Sequence, residues 1–257
     1  MLSVIIITKN EEDHIVECIQ SVQFADEIIV LDSGSTDHTC QLAEEYGAKV
    51  YQSTDWPGFG AQKNRALDLA SHEWVLSIDA DERVPLALAQ EIQEVLRQPQ
   101  AQAYTVARLS CFAGRWIRHS GWWPDRLVRL FRRESGRFKD VRVHESVLVD
   151  GAVKPLQGHL LHYPYQSLDS LINKTNQYSR AAAPTLHEKG RNIGILGMVS
   201  EAVWTFIRIY IIRRGFLDGK EGFILAGVAA SGSFFRYSKL WLLNKKTHWQ
   251  PKPPPVQ

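Results

Sequence analysis

Two aspartates one residue apart, Asp79-Ala80-Asp81, are the residues of this chain best suited to chemistry. Carboxylates are hard oxygen donors, and a pair on one tight turn can hold a divalent cation, which can in turn hold a diphosphate. Alone, Asp-x-Asp is equally an acidic, solvated turn, so its surroundings must decide. Two other polar stretches invite the same question: Thr8-Lys9-Asn10-Glu11 and Asp32-Ser33-Gly34-Ser35-Thr36-Asp37.

Each stretch follows an apolar run of strand length: Leu2 to Ile7, Glu27 to Leu31 and Trp74 to Ile78. Between them, Ile15, Cys18, Ile19 and Val22 recur at i, i+3, i+4, i+7, one face of a helix. Ser35 or Thr36 is placed to cap a second helix that stops at Gly47. Lys49 to Gln52 reads as a short strand, Ala61 to Ala70 as a helix, and Pro85 opens a helix reaching about Arg97. Strands alternating with helices predict βαβ units and an α/β fold with a parallel sheet. Parallel strands bring their carboxyl ends to one rim, where open α/β sheets bind ligands, so the three polar stretches are expected to converge. No G-x-G-x-x-G follows the first strand, which argues against a dinucleotide site.

After Pro99 the pattern changes to short β-type runs without intervening helices: Tyr104 to Leu109, Arg126 to Phe131, Val147 to Val149 and His159 to Tyr163. Trp122 and Trp123 sit together in a loop bounded by Gly121 and Pro124, where one ring is free to offer a flat apolar face to a sugar. Arg126, Arg129, Arg132 and Arg133 form a basic cluster suited to bidentate contact with an anionic acceptor such as a phosphorylated sugar. His159 and His162 could suggest a metal pair, but on an alternating strand they face opposite sides.

From Leu168 the chain becomes helical, with Leu168, Leu171, Ile172 and Thr175 as one expected apolar face. Ile195 to Ile212 and Gly222 to Phe235 are apolar but shorter than the twenty or so residues expected of a membrane span. Arg213, Arg214, Lys220, Arg236, Lys239, Lys245 and Lys246 flank them, with Trp204, Tyr210, Tyr237 and Trp241 among them. Basic rim, apolar face and interfacial aromatics suit a peripheral helix at a membrane surface, with an ordinary helical subdomain or a homo-oligomer interface as the other readings. The charge balance agrees: from Leu196 onward nine Lys/Arg face three Asp/Glu, while the preceding residues are net acidic. The aromatics there lie among apolar helical residues and not on a strand platform, so no nucleic acid partner is expected. Three scattered cysteines in no C-x-x-C pattern predict neither a disulfide framework nor a zinc site and fit a reducing, cytoplasmic compartment. The apolar opening, cut off by Thr8 to Asp13, reads as a strand and not a signal peptide.

Ser3 to Glu11, Val30 to Asp37, Lys63-Asn64-Arg65-Ala66-Leu67 and Ile78 to Glu82, in this order and spacing, resemble the nucleotide-sugar glycosyltransferases of family 2 with the GT-A fold. Val143-His144-Glu145 and the basic amphipathic end resemble the bacterial subgroup that adds glucose to the inner core of lipopolysaccharide. The resemblance implies a Rossmann-like mixed sheet flanked by helices over residues 1–165, with a nucleotide-sugar half (1–98) and an acceptor half (99–165). A helical membrane-surface region (166–246) and a Pro-rich tail (247–257) would follow. It implies that Thr8, Asn10 and Glu11 face the nucleotide, that Asp32 bonds base or ribose, and that Lys63, where the family often has Arg, holds base or phosphate. Asp79 would bind ribose or metal, and Asp81 would ligate Mg²⁺ or Mn²⁺ on the diphosphate. Glu145 would be the base of an inverting transfer, with Asp140 as fallback, and Trp122, Trp123, Arg126 and His144 would meet the acceptor. The expected partners are a nucleotide-sugar donor, UDP-glucose in the subgroup, a membrane glycolipid acceptor and the inner membrane surface. The Gln-x-x-Arg-Trp motif of processive members is absent. A polyprenyl phosphate acceptor, or a non-catalytic nucleotide-binding membrane adaptor, are the alternatives.

Overall fold

The computed structural model describes residues 1–139 and 146–245. In chain order its elements are β1 (Leu2–Thr8), α1 (Ile15–Gln20), β2 (Glu27–Asp32), α2 (Thr39–Glu45), β3 (Lys49–Gln52), α3 (Phe59–Leu69), β4 (Trp74–Asp79), β5 (Glu82–Arg83) and α4 (Leu86–Arg97). There follow β6 (Ala103–Phe112), β7 (Arg115–Trp116), β8 (Asp125–Arg132), β9 (Gly136–Phe138), β10 (Val147–Val149), β11 (Val153–His162), α5 (Leu168–Glu188), α6 (Ile195–Ile207) and α7 (Gly219–Asn244). They form two units. One comprises Met1–Cys111 and Trp123–Pro164, the other Phe112–Trp122 and the chain from Tyr165 onward.

The first unit is built on a mixed sheet of order β3-β2-β1-β4-β8-β6-β11-β5. Strands β1 to β4 are parallel, β8 is antiparallel to both its neighbours, and β5 is antiparallel to β11. Alternation along a strand sends successive side chains to opposite faces, and both faces are covered here. Val4 and Ile6 pack with Ile15, Cys18 and Ile19 of α1 and Leu88 and Ile92 of α4. Ile5, Ile29 and Leu31 pack on the other face with Ala66 and Leu67 of α3. The register places Thr8 beside Asp32 and Ile7 beside Asp79, so the ends of β1, β2 and β4 are level. The α/β, GT-A-like architecture with a C-terminal helical region is therefore present.

The cap of α2 differs from expectation. The helix begins at Thr39, and Asp37 Oδ1 accepts the Thr39 backbone N–H at 3.1 Å. Ser35 and Thr36 are held elsewhere, in a clasp described below.

In the second unit α7 packs against α5 and α6, burying Leu225, Ala226, Tyr237 and Leu240. The expected face of α5 is only partly buried: Leu171 is covered, whereas Leu168 and Ile172 are exposed. Tyr237, expected at an interface with lipid, is 8% exposed and packs with Met198 and Leu240. Lys239 is likewise turned inward, donating to Asn176 Oδ1 and Ser179 Oγ. From Ile195 the helix continues through a π-helical turn (Arg208–Ile212), giving eighteen residues that are long and apolar enough to cross a membrane by length and composition. Residues Phe112–Trp122, assigned by sequence to the acceptor half, belong to this unit. Asp218 holds them by accepting from the backbone N–H groups of Arg118 and His119, both at 3.1 Å, and from Ser120 Oγ at 2.8 Å.

Candidate functional site

The level ends of β1, β2 and β4 carry the polar stretches to one rim. Asn10 adopts a left-handed backbone (φ 55°), which asparagine tolerates better than most residues. Its side-chain Oδ1 accepts from the Thr36 N–H at 2.8 Å, and its own N–H donates to Ser35 Oγ at 2.8 Å. Asp32, fully buried, accepts from the backbone N–H groups of Gly34 and Ser35 at 2.9 and 2.8 Å. Ser35 Oγ also donates to Asp32. Asn10 and Asp32 thus shape the two loops that border the rim. Thr8, 5% exposed, has a hydroxyl without a hydrogen-bond partner among the described residues. An unpaired buried hydroxyl is costly, and a bound polar ligand would relieve it.

Asp79 is the hub of a charge network. Lys63 Nζ of α3 lies 2.8 Å from its Oδ1, and Arg129 Nη2 of β8 lies 2.7 Å from its Oδ2. Arg129 also bonds Glu82 Oε1 at 2.5 Å. Arg108 Nη1 approaches the same Glu82 oxygen at 3.4 Å, while its Nη2 reaches Asp125 at 2.6 Å. Glu82, fully buried, accepts the backbone N–H of Asp79 at 2.9 Å. Burial raises the Asp79 pKa, but Arg129 and Lys63 outweigh it and hold the carboxyl well below its ordinary range. Three carboxylates here meet three cations, so the network is neutral and Asp79 is ionised with both oxygens engaged.

Asp81 lies outside this compensation. Its side chain is 25% exposed, and His162 Nε2 is 3.4 Å from its Oδ2. The antiparallel pairing of β5 with β11 sets His162 opposite Glu82, and the Tyr163 N–H donates to the Asp81 carbonyl at 2.9 Å. His162 Nδ1 is 2.8 Å from Ser110 Oγ, which fixes the ring. Glu11 joins the same field: burial, then the negative charges of Asp81, Asp37 and Asp79, lift its pKa from 4.5 to about 7, against the pull of Arg83. Among the described residues no group of three or more His, Cys, Asp or Glu side chains is arranged to hold a metal ion. Asp81 and His162 form an open pair of donors in an electronegative setting, which fits a cation whose remaining ligands come from substrate and water.

The basic cluster of β8 does not form a single anion site. Arg129 is 4% exposed and held by Asp79 and Glu82, so it cannot meet an acceptor. Arg132 pairs with Glu73 and lies over the Trp74 ring, and Arg133 donates to the Ala70 carbonyl. Arg126 is exposed and donates to the Leu156 carbonyl at 3.1 Å. Trp122 packs within the second unit against Phe112 and Tyr165, whereas Trp123 belongs to the first and lies edge-on to His159 at 5.6 Å. Asp140, His144 and Glu145 lie outside the described residues.

The glycosyl transferase family 2 model matches residues 3–149, more than half of the chain and all of the rim just described except His162. The chain belongs to glycosyl transferase family 2. As a member it carries that family's catalytic domain and is an enzyme. An uncharacterized glycosyltransferase of Rickettsia typhi is 33% identical over 259 residues, covering 96% of this chain and 88% of the relative. The lipopolysaccharide core biosynthesis glycosyltransferase LpsC of Rhizobium meliloti is 32% identical over 252 residues, covering 93% and 92%. Among solved structures, S. aureus TarS in complex with UDP shares the fold, with a TM-score of 0.50, 15% identity and coverage of 97% and 93%.

Proposed function

We propose that this family 2 enzyme transfers a hexose, glucose from UDP-glucose, to a membrane glycolipid of the lipopolysaccharide inner core. The observation that carries the donor half of this reading is the rim where Asp81, His162, Glu11 and Thr8 meet beside a charge-neutral Asp79 network. The similarity to LpsC over nearly the whole of both chains supports the acceptor class.

Asp81 and His162 would hold a divalent cation, Mg²⁺ or Mn²⁺, with Asp79 as the residue that fixes the turn and contacts the nucleotide. Were the hydrogen on Nδ1 and donated to Ser110 Oγ, the Nε2 lone pair of His162 would stand beside the Asp81 carboxylate. Bound there, the cation would neutralise charge developing on the departing diphosphate. Thr8 and Glu11 would face the base and ribose, Asn10 and Asp32 would keep their loops in place, and Lys63 would secure Asp79. Glu145 would take the proton of the acceptor hydroxyl as that oxygen attacks the anomeric carbon, inverting it. Trp123, Arg126 and His144 would border the acceptor. The enzyme would work at the cytoplasmic face of the inner membrane, as a peripheral protein.

Isothermal titration of UDP with and without Mn²⁺ tests the donor site. The wild type should bind more tightly with the metal, and Asp81→Ala should lose that increment together with transfer. Metal-stimulated binding retained in Asp81→Ala would reject the site. Glu145→Gln should keep UDP binding and lose turnover.

A further inference from the structure

At the corner where α6 gives way to α7, the second unit presents a surface whose apolar and charged groups are sorted. Ile211, Ile212, Phe216, Leu217, Phe223 and Ile224 are each at least 39% exposed. Arg208, Arg213, Arg214 and Lys220 are exposed among them. The acids of this stretch are turned away. Asp218 is 2% exposed and occupied by Arg118, His119 and Ser120, and Glu221 faces Arg115 at 3.9 Å. The outward surface is therefore bulky, apolar and purely cationic.

The corner is fixed by close backbone approach. A Cβ on Gly222 would collide with the Gly215 carbonyl, and one on Gly215 would come within 2.8 Å of the Ile209 carbonyl. Tyr210, Phe216 and Phe223 pack edge to face, with centroids 5.6 to 6.3 Å apart. Together with Lys220 and Ile224 they line a shallow, open cavity of about 440 Å³.

We infer that this corner, residues 207–224, is a foot that docks on a bilayer carrying anionic phospholipid. In this reading the apolar side chains enter the headgroup boundary and Lys220 meets a lipid phosphate at the aromatic cavity. The inference deepens the proposed function, on whose membrane-bound acceptor it rests, by naming the element and the lipid class. The charge decides the occupant. A second copy meeting the same face across a two-fold axis would set four cations against four cations. Residues 246–257 carry Lys246 and Lys252 and no acid, so they do not complement the patch either. Anionic headgroups do, and each basic residue near such a surface strengthens binding about fivefold.

The test is cosedimentation of the full chain with vesicles of phosphatidylcholine alone and of equimolar phosphatidylcholine and phosphatidylglycerol, neither containing a sugar acceptor. The wild type should bind the anionic vesicles and release them in high salt. Arg214→Asn/Lys220→Gln should weaken binding more than about tenfold, and Ile211→Ser/Leu217→Ser should weaken it as well. Lys139→Gln/Lys154→Gln, which removes the same charge from the first unit, should bind as the wild type does. Thermal unfolding checks that each variant is folded. Equal binding by all variants would overturn the inference, as would a concentration-dependent dimer dissolved by Ile211→Ser/Leu217→Ser. Resistance to alkaline carbonate extraction from native membranes would overturn it in favour of a spanning helix. Vesicle binding together with no transfer to a lipopolysaccharide-core glycolipid supplied in a separate assay leaves the foot standing and removes the proposed acceptor. Transfer to a detergent-dispersed acceptor by a protein that ignores vesicles does the reverse.

Discussion

Arg129 shows how much of a site can depend on a side chain that substrate never touches. It is buried and bonds both Asp79 and Glu82, so its removal leaves Asp79 with Lys63 alone, Glu82 with Arg108 alone, and the network one cation short. Breaking such a buried pair from one side typically costs about 3–5 kcal/mol. Arg129→Met should therefore lower unfolding stability by an amount in that range, measurable by urea titration, and Arg129→Lys should recover only part because an ammonium lacks the planar fork. Asp81, Thr8 and Glu11 were legible from the sequence because each closes an apolar run, and the run supplies the strand. Arg129 was visible only as one of four arginines, with nothing to separate a buried partner of Asp79 from its solvated neighbours. His162 was hidden for another reason. Its approach to Asp81 depends on pairing with a two-residue strand that no local pattern announces.

At the scale of elements, the sheet edge near Glu27 carries a pH dependence. Glu27 accepts from Ser3 Oγ, Lys49 Nζ and the Ser71 N–H and Oγ, tying β1, β3 and the end of α3 to β2. Burial alone would raise its pKa, but these donors lower it from 4.5 to about 2. A carboxyl with a depressed folded-state pKa stabilises the fold above the unfolded value, and that stability is lost as pH falls from 4.5 toward 2. Its size is about 3 kcal/mol for the full shift, at about 1.4 kcal/mol per pH unit. Glu27→Gln should be less stable than the wild type at neutral pH, with the gap closing near pH 2, as followed by chemical denaturation across that range. The alternating elements from β1 to α4 could be read from hydropathy because each is local. The α2 cap could not, because Ser35 and Thr36 are recruited by Asn10, more than twenty residues away.

At the scale of the molecule, the boundary near residue 165 coincides with the change from strand-type to helical patterning. The assignment of Phe112–Trp122 to the C-terminal unit has no such marker, since it depends on Asp218, about a hundred residues later. Asp218→Ala should strand two backbone N–H groups and cost about 2–6 kcal/mol, at about 1–3 kcal/mol for each buried donor left unpaired. Limited proteolysis should then cut within 112–122 sooner than in the wild type, and an unchanged digestion pattern would show that apolar packing around Ile117 suffices. The exposed corner of the second unit is a further property of the whole. The residue types were evident, but which aromatics face outward was settled by helix packing, which buries Tyr237 and leaves Phe216 and Phe223 uncovered.

The pairing of β5 with β11 has a consequence for synthesis. The Asp79-Ala80-Asp81 turn leaves the ribosome about eighty residues before His162 does, an interval of roughly 4 to 16 seconds at about 5–20 residues per second. During that time β1, β2 and β4 can associate, but the histidine beside Asp81 does not yet exist, and neither does the strand that steadies Glu82. A nascent chain would therefore hold an acidic rim without its last donor. The rim is complete only once the first unit is whole, when the C-terminal helices are the next segment to emerge.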